Sequence, residues 1–282
     1  MILAPVNKII KSSVVDGPGN RCAIFLQGCN FNCMYCHNPE TINNCFNCGK
    51  CIDTCPANAL SIIDNKVVWD DKKCVDCDTC IKTCDHNASP KIKYMNALDV
   101  MEVVKECMPF IKGITTSGGE CSLHKDFLVE LFTLAKKENL SCLIDSNGSL
   151  DYSSEDFKEL IDLADGVMLD VKAINNDIHL KVIGQSNETV IKNAVYLAGI
   201  GKLTEIRTVC ANTYLNNEET IDSITKLLSP YLGIRDIKYR IIKYRPFGVR
   251  EEYKNLGSPS DDDMNHYKEI ALNNGFKDIL LT

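Results

Sequence analysis

From Gly113 onward the apolar residues follow two alternating rhythms. "GITTSG" (113–118), "CLIDS" (142–146), "GVMLDVK" (166–172), "KLTEIRTVC" (202–210) and "DIKYRIIK" (236–243) are short apolar-rich runs that read as strands. Between the first two, "KDFLVELFTLAKK" sets Phe127, Leu128, Leu131, Leu134 and Ala135 at helical spacing. Further helices are expected over 154–164, from about 186 to 199 and from about 217 to 228. A last one is expected to begin near Pro259, with Ser260 as N-cap and Asp261, Asp262 and Asp263 at its positive end. Such alternation predicts an α/β fold with a parallel sheet and helices outside. About six units fit, so a partial (β/α)6 barrel or an open sheet is expected, with ligands at the carboxyl ends of the strands.

The chain has 282 residues, 45% of them hydrophobic, enough for one large core or two smaller ones. The start, "MILAPVNKII", is broken by Pro5, Asn7 and Lys8, unlike a secretory segment. No run approaches the roughly 20 apolar residues that cross a bilayer. A soluble, cytoplasmic protein is expected. The net charge of −7 argues against a non-specific grip on nucleic acid or an anionic membrane.

Cysteine changes the picture. There are 16, and eleven of them fall between Cys29 and Cys84 in C-x2-C and C-x3-C steps. Disulfides are the plain alternative, but they suit short exported scaffolds, and neighbouring cysteines converge on a metal more readily than they form unstrained bridges. "CFNCGKCIDTCP" supplies Cys45, Cys48, Cys51 and Cys55, and "CVDCDTCIKTC" supplies Cys74, Cys77, Cys80 and Cys84. Both are C-x2-C-x2-C-x3-C, the spacing of bacterial two-cluster ferredoxins, in which the fourth cysteine serves the other cluster. One 4Fe-4S cluster is therefore assigned to Cys45, Cys48, Cys51 and Cys84, and a second to Cys74, Cys77, Cys80 and Cys55. Pro56 follows the first run as in the motif, whereas Asp85 follows the second. Paired zinc knuckles are the alternative. The expected organisation is a barrel of residues 1–44 and 88–282, interrupted by a ferredoxin-like insert over 45–87.

A third group stands apart. "CNFNCMYC" carries Cys29, Cys33 and Cys36 with no fourth cysteine at short spacing. A cluster held by three thiolates has one open iron, which is where a substrate or cofactor binds. C-x3-C-x-aromatic-C, with Tyr35 as the aromatic, resembles the signature of radical S-adenosylmethionine (SAM) enzymes. The longer stretch "VDGPGNRCAIFLQGCNFNCMYCHNPET" (15–41) resembles the N-terminal signature of glycyl-radical-enzyme activating enzymes, most of all the YjjW-type activases, some relatives of which carry a two-cluster insert at this place.

The resemblance implies a radical SAM partial barrel, three 4Fe-4S clusters in all, SAM as the fourth ligand of the first, and a glycyl radical enzyme as partner. An electron donor such as flavodoxin or ferredoxin is implied as well. Gly118, Gly119 and Glu120 match the motif that bonds the SAM amino group. Residues matching Asp145, Ser146, Met168 and Asp170 enclose a monovalent cation beside SAM in some relatives. Lys172 and Arg207 are implied contacts of the SAM ribose and carboxylate, and His37 lines the pocket. Arg245 stands where the family has a histidine. Asp16, beside Gly17, Pro18 and Gly19, is implied to bond an extended peptide; an Asx-type turn is the plain alternative. Cys22, Cys107, Cys142 and Cys210 read as buried small hydrophobes, and His86, His124, His179 and His266 as ordinary residues. The expected function is reductive SAM cleavage and abstraction of a Cα hydrogen from a partner's glycine. A radical SAM enzyme for a small molecule and a ferredoxin-like electron carrier are the rivals.

Overall fold

The computed structural model describes residues 2–282. The chain opens with β1 (Ala4–Ser13) and β2 (Arg21–Leu26), then leaves the sheet for the cysteine-rich segment. There β3 (Leu60–Ile63) and β4 (Lys66–Trp69) pair as a hairpin and α1 (Thr79–Lys82) makes one turn. The return passes through β5 (Lys93–Met95) and α2 (Ala97–Cys107). Strand and helix then alternate: β6 (Gly113–Gly118), α3 (Lys125–Lys137), β7 (Ser141–Ser146), α4 (Lys158–Leu163) and β8 (Gly166–Asp170). Two helices, α5 (Asn176–Ile183) and α6 (Glu188–Gly199), precede β9 (Leu203–Cys210) and α7 (Asn217–Leu228). The chain ends with β10 (Lys238–Lys243), α8 (Asp261–Asn273) and β11 (Ile279–Leu281).

One sheet runs β11-β10-β9-β8-β7-β6-β2-β1-β5. From β2 to β11 every pairing is parallel; β1 joins antiparallel to β2 and β5. The expected strands of 113–243 are all present, and α7 has the expected bounds. Ser260 caps α8, its hydroxyl accepting from the Asp263 amide in a capping box. The additions are β1, whose ten residues lie between β2 and β5 and mix buried and exposed positions, the short strands β3, β4, β5 and β11, the helices α1 and α2, and α5, whose eight residues are too few for a clear helical stripe.

Alternation along each strand divides two worlds. Cys22, Ile24, Ile114, Ile144, Leu169, Ile206 and Tyr239 face out and join the helices in one core, together with Cys107, Cys142 and Cys210. The other face carries Arg21, Thr115, Asp145, Arg207 and Arg240. Arg240 Nη1, on β10, reaches the Val15 carbonyl ahead of β2 at 3.1 Å, so the sheet curls until these distant strands face one another. Among the described residues no helix is long and apolar enough to cross a membrane.

The segment from Cys45 to Asn87 is built twice. Asn47 and Asp76, Gly49 and Asp78, and Asn58 and Asn87 are equivalent in the repeat, and all six have positive φ. The amides of Ile52 and Ile81 bond the carbonyls of Gly49 and Asp78, and those of Cys55 and Cys84 bond Ile52 and Ile81. Its own buried core is Cys51, Leu60 and Cys80.

Candidate active site

At the carboxyl end of β2 the chain turns into the Cys29–Cys36 loop, which is tied down on three sides. The Gly28 and Cys29 amides bond the carbonyls of Thr41 and Ile42, and the Asn32 and Met34 amides bond those of Ile183 and Val182 at the end of α5. Arg250 Nη2 clasps the Cys33 carbonyl at 3.0 Å. Gly248, with φ 77°, lets this C-terminal loop lie against His37: a Cβ there would stand 2.1 Å from the His37 carbonyl oxygen.

This loop roofs a cavity of about 240 Å³ at the strand ends. Cys29, Cys33 and Cys36 line it with Phe31, Tyr35 and His37. Ser117 and Gly118 end β6 and Gly119 follows it, Asp145 and Ser146 end β7 and Asn147 follows it, and Asp170 ends β8 with Lys172 just beyond. Val209 and Ile242 make an apolar wall. Burial pushes the Cys29 thiol up to about 12, with Glu120 adding to it, and Cys33 up to about 11 although Lys172 opposes. These thiols are poor free nucleophiles; they need a strong Lewis acid to ionise. Lys172 Nζ bonds Asp170 Oδ2 at 2.9 Å and lies 5.7 Å from the Tyr35 ring centre. Burial works against its charge, but Asp170, Cys33 and Tyr35 outweigh it and hold the ammonium above its usual range. The Tyr35 hydroxyl is buried with no hydrogen-bond partner, a donor left for something in the cavity.

Several residues singled out in the sequence are engaged by the fold itself. Glu120 turns away from the cavity and is wholly engaged: Ser122 N and Oγ and Ser146 Oγ donate to Oε1, and Asn147 N to Oε2 at 2.6 Å. It knits the end of β6 to the end of β7. Gly118 and Gly119 line the cavity, yet their lack of a side chain is required by chain packing, since a Cβ would stand 2.2 Å from the carbonyl oxygens of Leu26 and Gly28 respectively. Arg207 lies beneath, bonding Asp145 Oδ1 at 2.8 Å and Glu205 Oε1 at 2.5 Å, with Met168 Sδ against its other nitrogen. Burial pushes the Asp145 carboxyl up, and Arg207 draws it back. Asp145, Ser146 and Asp170 line this one cavity, where Arg207 and Lys172 pair with the acids and Ser146 Oγ is held by Glu120 and Tyr152.

Asp16 sits at the other end of the sheet. Gly17 and Pro18 line a second cavity, of about 320 Å³, with Arg21, Met168 and Glu205. The Asp16 carbonyl accepts from Thr115 Oγ1 at 2.6 Å and its carboxylate from Ser13 Oγ, with no bond to its own amides. Two residues escaped the sequence reading. Asn147 reaches the Cys29 sulfur, with Nδ2 3.6 Å from Sγ. Arg21, 1% exposed, bonds Thr115, Ile114 and Ser141 and braces the first strands. An arginine heading an apolar strand was the signal.

In the repeated segment, Cys55 lines one small cavity with Cys74, Cys77 and Cys80. A cysteine of the first run thus meets three of the second. None of the sixteen cysteines is in a disulfide, and among the described residues no three His, Cys, Asp or Glu side chains converge on a single metal ion.

Residues 23–229 match the profile of the Radical SAM superfamily. A Haemophilus influenzae protein bearing the name glycyl-radical enzyme activating enzyme is 28% identical over 99% of this chain and 97% of its own. The trans-4-hydroxy-L-proline dehydratase activating enzyme of Clostridioides difficile is 31% identical over 92% of this chain and 93% of its own. The pyruvate formate-lyase 1-activating enzyme of Escherichia coli is 26% identical over 98% of each chain. Among solved structures, QueE from Escherichia coli aligns with 99% of this chain and 94% of its own at TM-score 0.53 and 13% identity, a likeness of fold.

Proposed function

The chain belongs to the radical SAM superfamily and, within it, to the glycyl-radical-enzyme activating enzymes, and we propose that Cys29, Cys33 and Cys36 hold its 4Fe-4S cluster with one iron open to SAM. The observation that carries this reading is the single cavity lined by three thiols, a tyrosine whose buried hydroxyl has no partner and a lysine. When bound, the cluster supplies the electron that splits SAM into methionine and a 5′-deoxyadenosyl radical, which takes a Cα hydrogen from one glycine of a partner glycyl radical enzyme. Lys172 offers an ammonium to the SAM carboxylate, and Asp170 holds that ammonium in place. Tyr35 offers its hydroxyl, and Val209 and Ile242 keep water from the reacting groups. Asp16, on the loop under the sheet, offers its carboxylate to an extended peptide of the partner.

Two further 4Fe-4S clusters are assigned to the repeated segment, one on Cys45, Cys48, Cys51 and Cys84, the other on Cys74, Cys77, Cys80 and Cys55. The shared cavity of Cys55 with the second run supports this crossed pairing. Their task is to relay an electron from a donor such as flavodoxin or ferredoxin. The fully reconstituted chain should then hold roughly 12 irons. Replacing Cys29, Cys33 and Cys36 by alanine should leave about eight and abolish SAM cleavage and the SAM-induced change in the electron paramagnetic resonance (EPR) spectrum. Incubation of the native protein with SAM, a reductant and its partner should yield a glycine-centred radical whose splitting is lost on deuteration of that glycine. SAM turnover without any partner radical would reject the activase assignment and favour a small-molecule substrate.

A further inference from the structure

The two halves of the insert are alike in backbone and unlike in charge. Gly49 and Asp78 are equivalent, with φ 76° and 57°. Beside Gly49 stands Ile62, whose Cδ1 lies 3.0 Å from the place of a Gly49 Cβ. The counterpart of Ile62 at the same repeat spacing is Lys91, and its ammonium bonds Asp78 at 2.7 Å and Asp76 at 3.1 Å. An apolar contact in the first half is an ion triad in the second. The Lys91 side chain is only 13% exposed and lines the cavity of Cys55, Cys74, Cys77 and Cys80, whereas the Asp76 and Asp78 side chains are 84% and 53% exposed. Asp76 Oδ1 stands 3.7 Å from the Cys74 sulfur, but water screens the two acids more than it screens the largely covered ammonium, so the cation is the stronger influence at the buried Cys80 thiol.

We propose that Lys91 sets a redox asymmetry within the insert, holding the cluster of Cys55, Cys74, Cys77 and Cys80 at a higher reduction potential than the cluster of Cys45, Cys48, Cys51 and Cys84. The inference rests on the two-cluster reading of this segment. Reduction adds one negative charge to a cluster, and a buried cation nearby favours that charge directly. An electron delivered by a low-potential donor protein therefore rests in the second half. By bonding acids on either side of Cys77, the same ammonium fixes the loop that presents this thiol.

Redox titration of the reconstituted full-length chain, followed by EPR, tests this in Lys91→Gln, Lys91→Arg and Ile62→Lys. In Lys91→Gln the iron content should stay at roughly 12 per chain. One insert signal should move to lower potential, its reduced-to-oxidised ratio at fixed potential falling about tenfold, or 59 mV for one electron. Lys91→Arg should keep the native midpoint. Ile62→Lys should raise the other insert signal by less, because Ile62 is 53% exposed. Unchanged midpoints in Lys91→Gln with full iron would overturn the proposal. Should that variant lose a cluster, Ile62→Lys decides, and an unmoved midpoint there overturns it. About four irons in the native protein would instead sink the two-cluster reading itself, and this inference with it.

Discussion

The curled sheet and the cysteine-rich insert solve the problem of staying folded in opposite ways. The sheet and its helices share one continuous core that runs from Ala4 to Phe276. The insert buries Cys51, Leu60 and Cys80, and two of these three are thiols assigned to metal. Its hairpin is four residues a side, and such a pair is marginal by itself in water. Hydrophobic burial therefore holds the first region, and whatever the cysteines bind holds the second. On the assignment proposed above, the difference would also divide labour: the frame would fix the SAM cavity and the insert would carry electrons to it.

The largest effect that would break this comparison is removal of iron. Chelation should release the insert and spare the sheet, because ligation of structural metal supplies on the order of 10 kcal/mol that a core this small does not replace. Hydrogen exchange should show amides of 45–87 losing protection while those of β6 and β7 keep theirs. Equal loss of protection in both regions would mean that the sheet too depends on metal.

Next comes Glu120→Ala, which attacks the frame at its joint. Four donors aimed at one buried carboxylate would be left without a partner. The expected cost is about 3 kcal/mol, or roughly 6–12 °C in the thermal midpoint at this chain length. Iron content of the insert should not change. A variant that keeps its midpoint and loses SAM binding would instead return Glu120 to the cofactor.

The role of Glu120 marks where the sequence ceased to be legible. Period-two and helical patterns located the strands of the sheet because burial on one or both faces leaves a direct trace in residue type. The strand β1, the edge strand β5 and the short α5 left little trace, since their residues mix exposed and buried positions. The cysteines announced themselves by spacing. Side-chain direction did not: "SGGE" places Gly118, Gly119 and Glu120 next to one another, yet the glycines face the cavity and the acid faces away. Likewise Asp145 and Asp170 were legible as a pair of acids, and Lys172, two residues from Asp170, as a cation that could neutralise them, but not that Arg207 would pair with Asp145, since that contact joins strands far apart in the chain. Asp16 was legible as part of a tight turn, and only the fold sets it at the end opposite the thiols.

Asp170→Asn is a smaller probe, confined to the cavity. The substitution keeps the side chain's shape and removes the charge that anchors Lys172, leaving a buried ammonium without its partner. SAM affinity should fall about tenfold, or 1.4 kcal/mol, because Lys172 is no longer held toward the SAM carboxylate. The iron content should stay unchanged. Equal affinity in native and variant protein, measured by equilibrium binding to the reconstituted chain, would move this ion pair out of the binding site.

The smallest effect is expected from an ion pair that looks like the one at Lys91. Lys50 bonds Asp85 across the two halves of the insert at 2.5 Å, and Asp85 stands where the duplicated motif has proline. Their side chains are 56% and 68% exposed, so water and salt screen the attraction and each partner is well solvated alone. Lys50→Gln should therefore leave iron content, thermal midpoint and both insert potentials where they are, at low and at high salt. Lys91, with the same type of partner and 13% exposure, is predicted to move a potential. The pair of variants thus isolates burial from charge. Should Lys50→Gln shift a midpoint as far as Lys91→Gln does, exposure is not what distinguishes the two lysines, and the asymmetry between the halves must come from the clusters' own ligands.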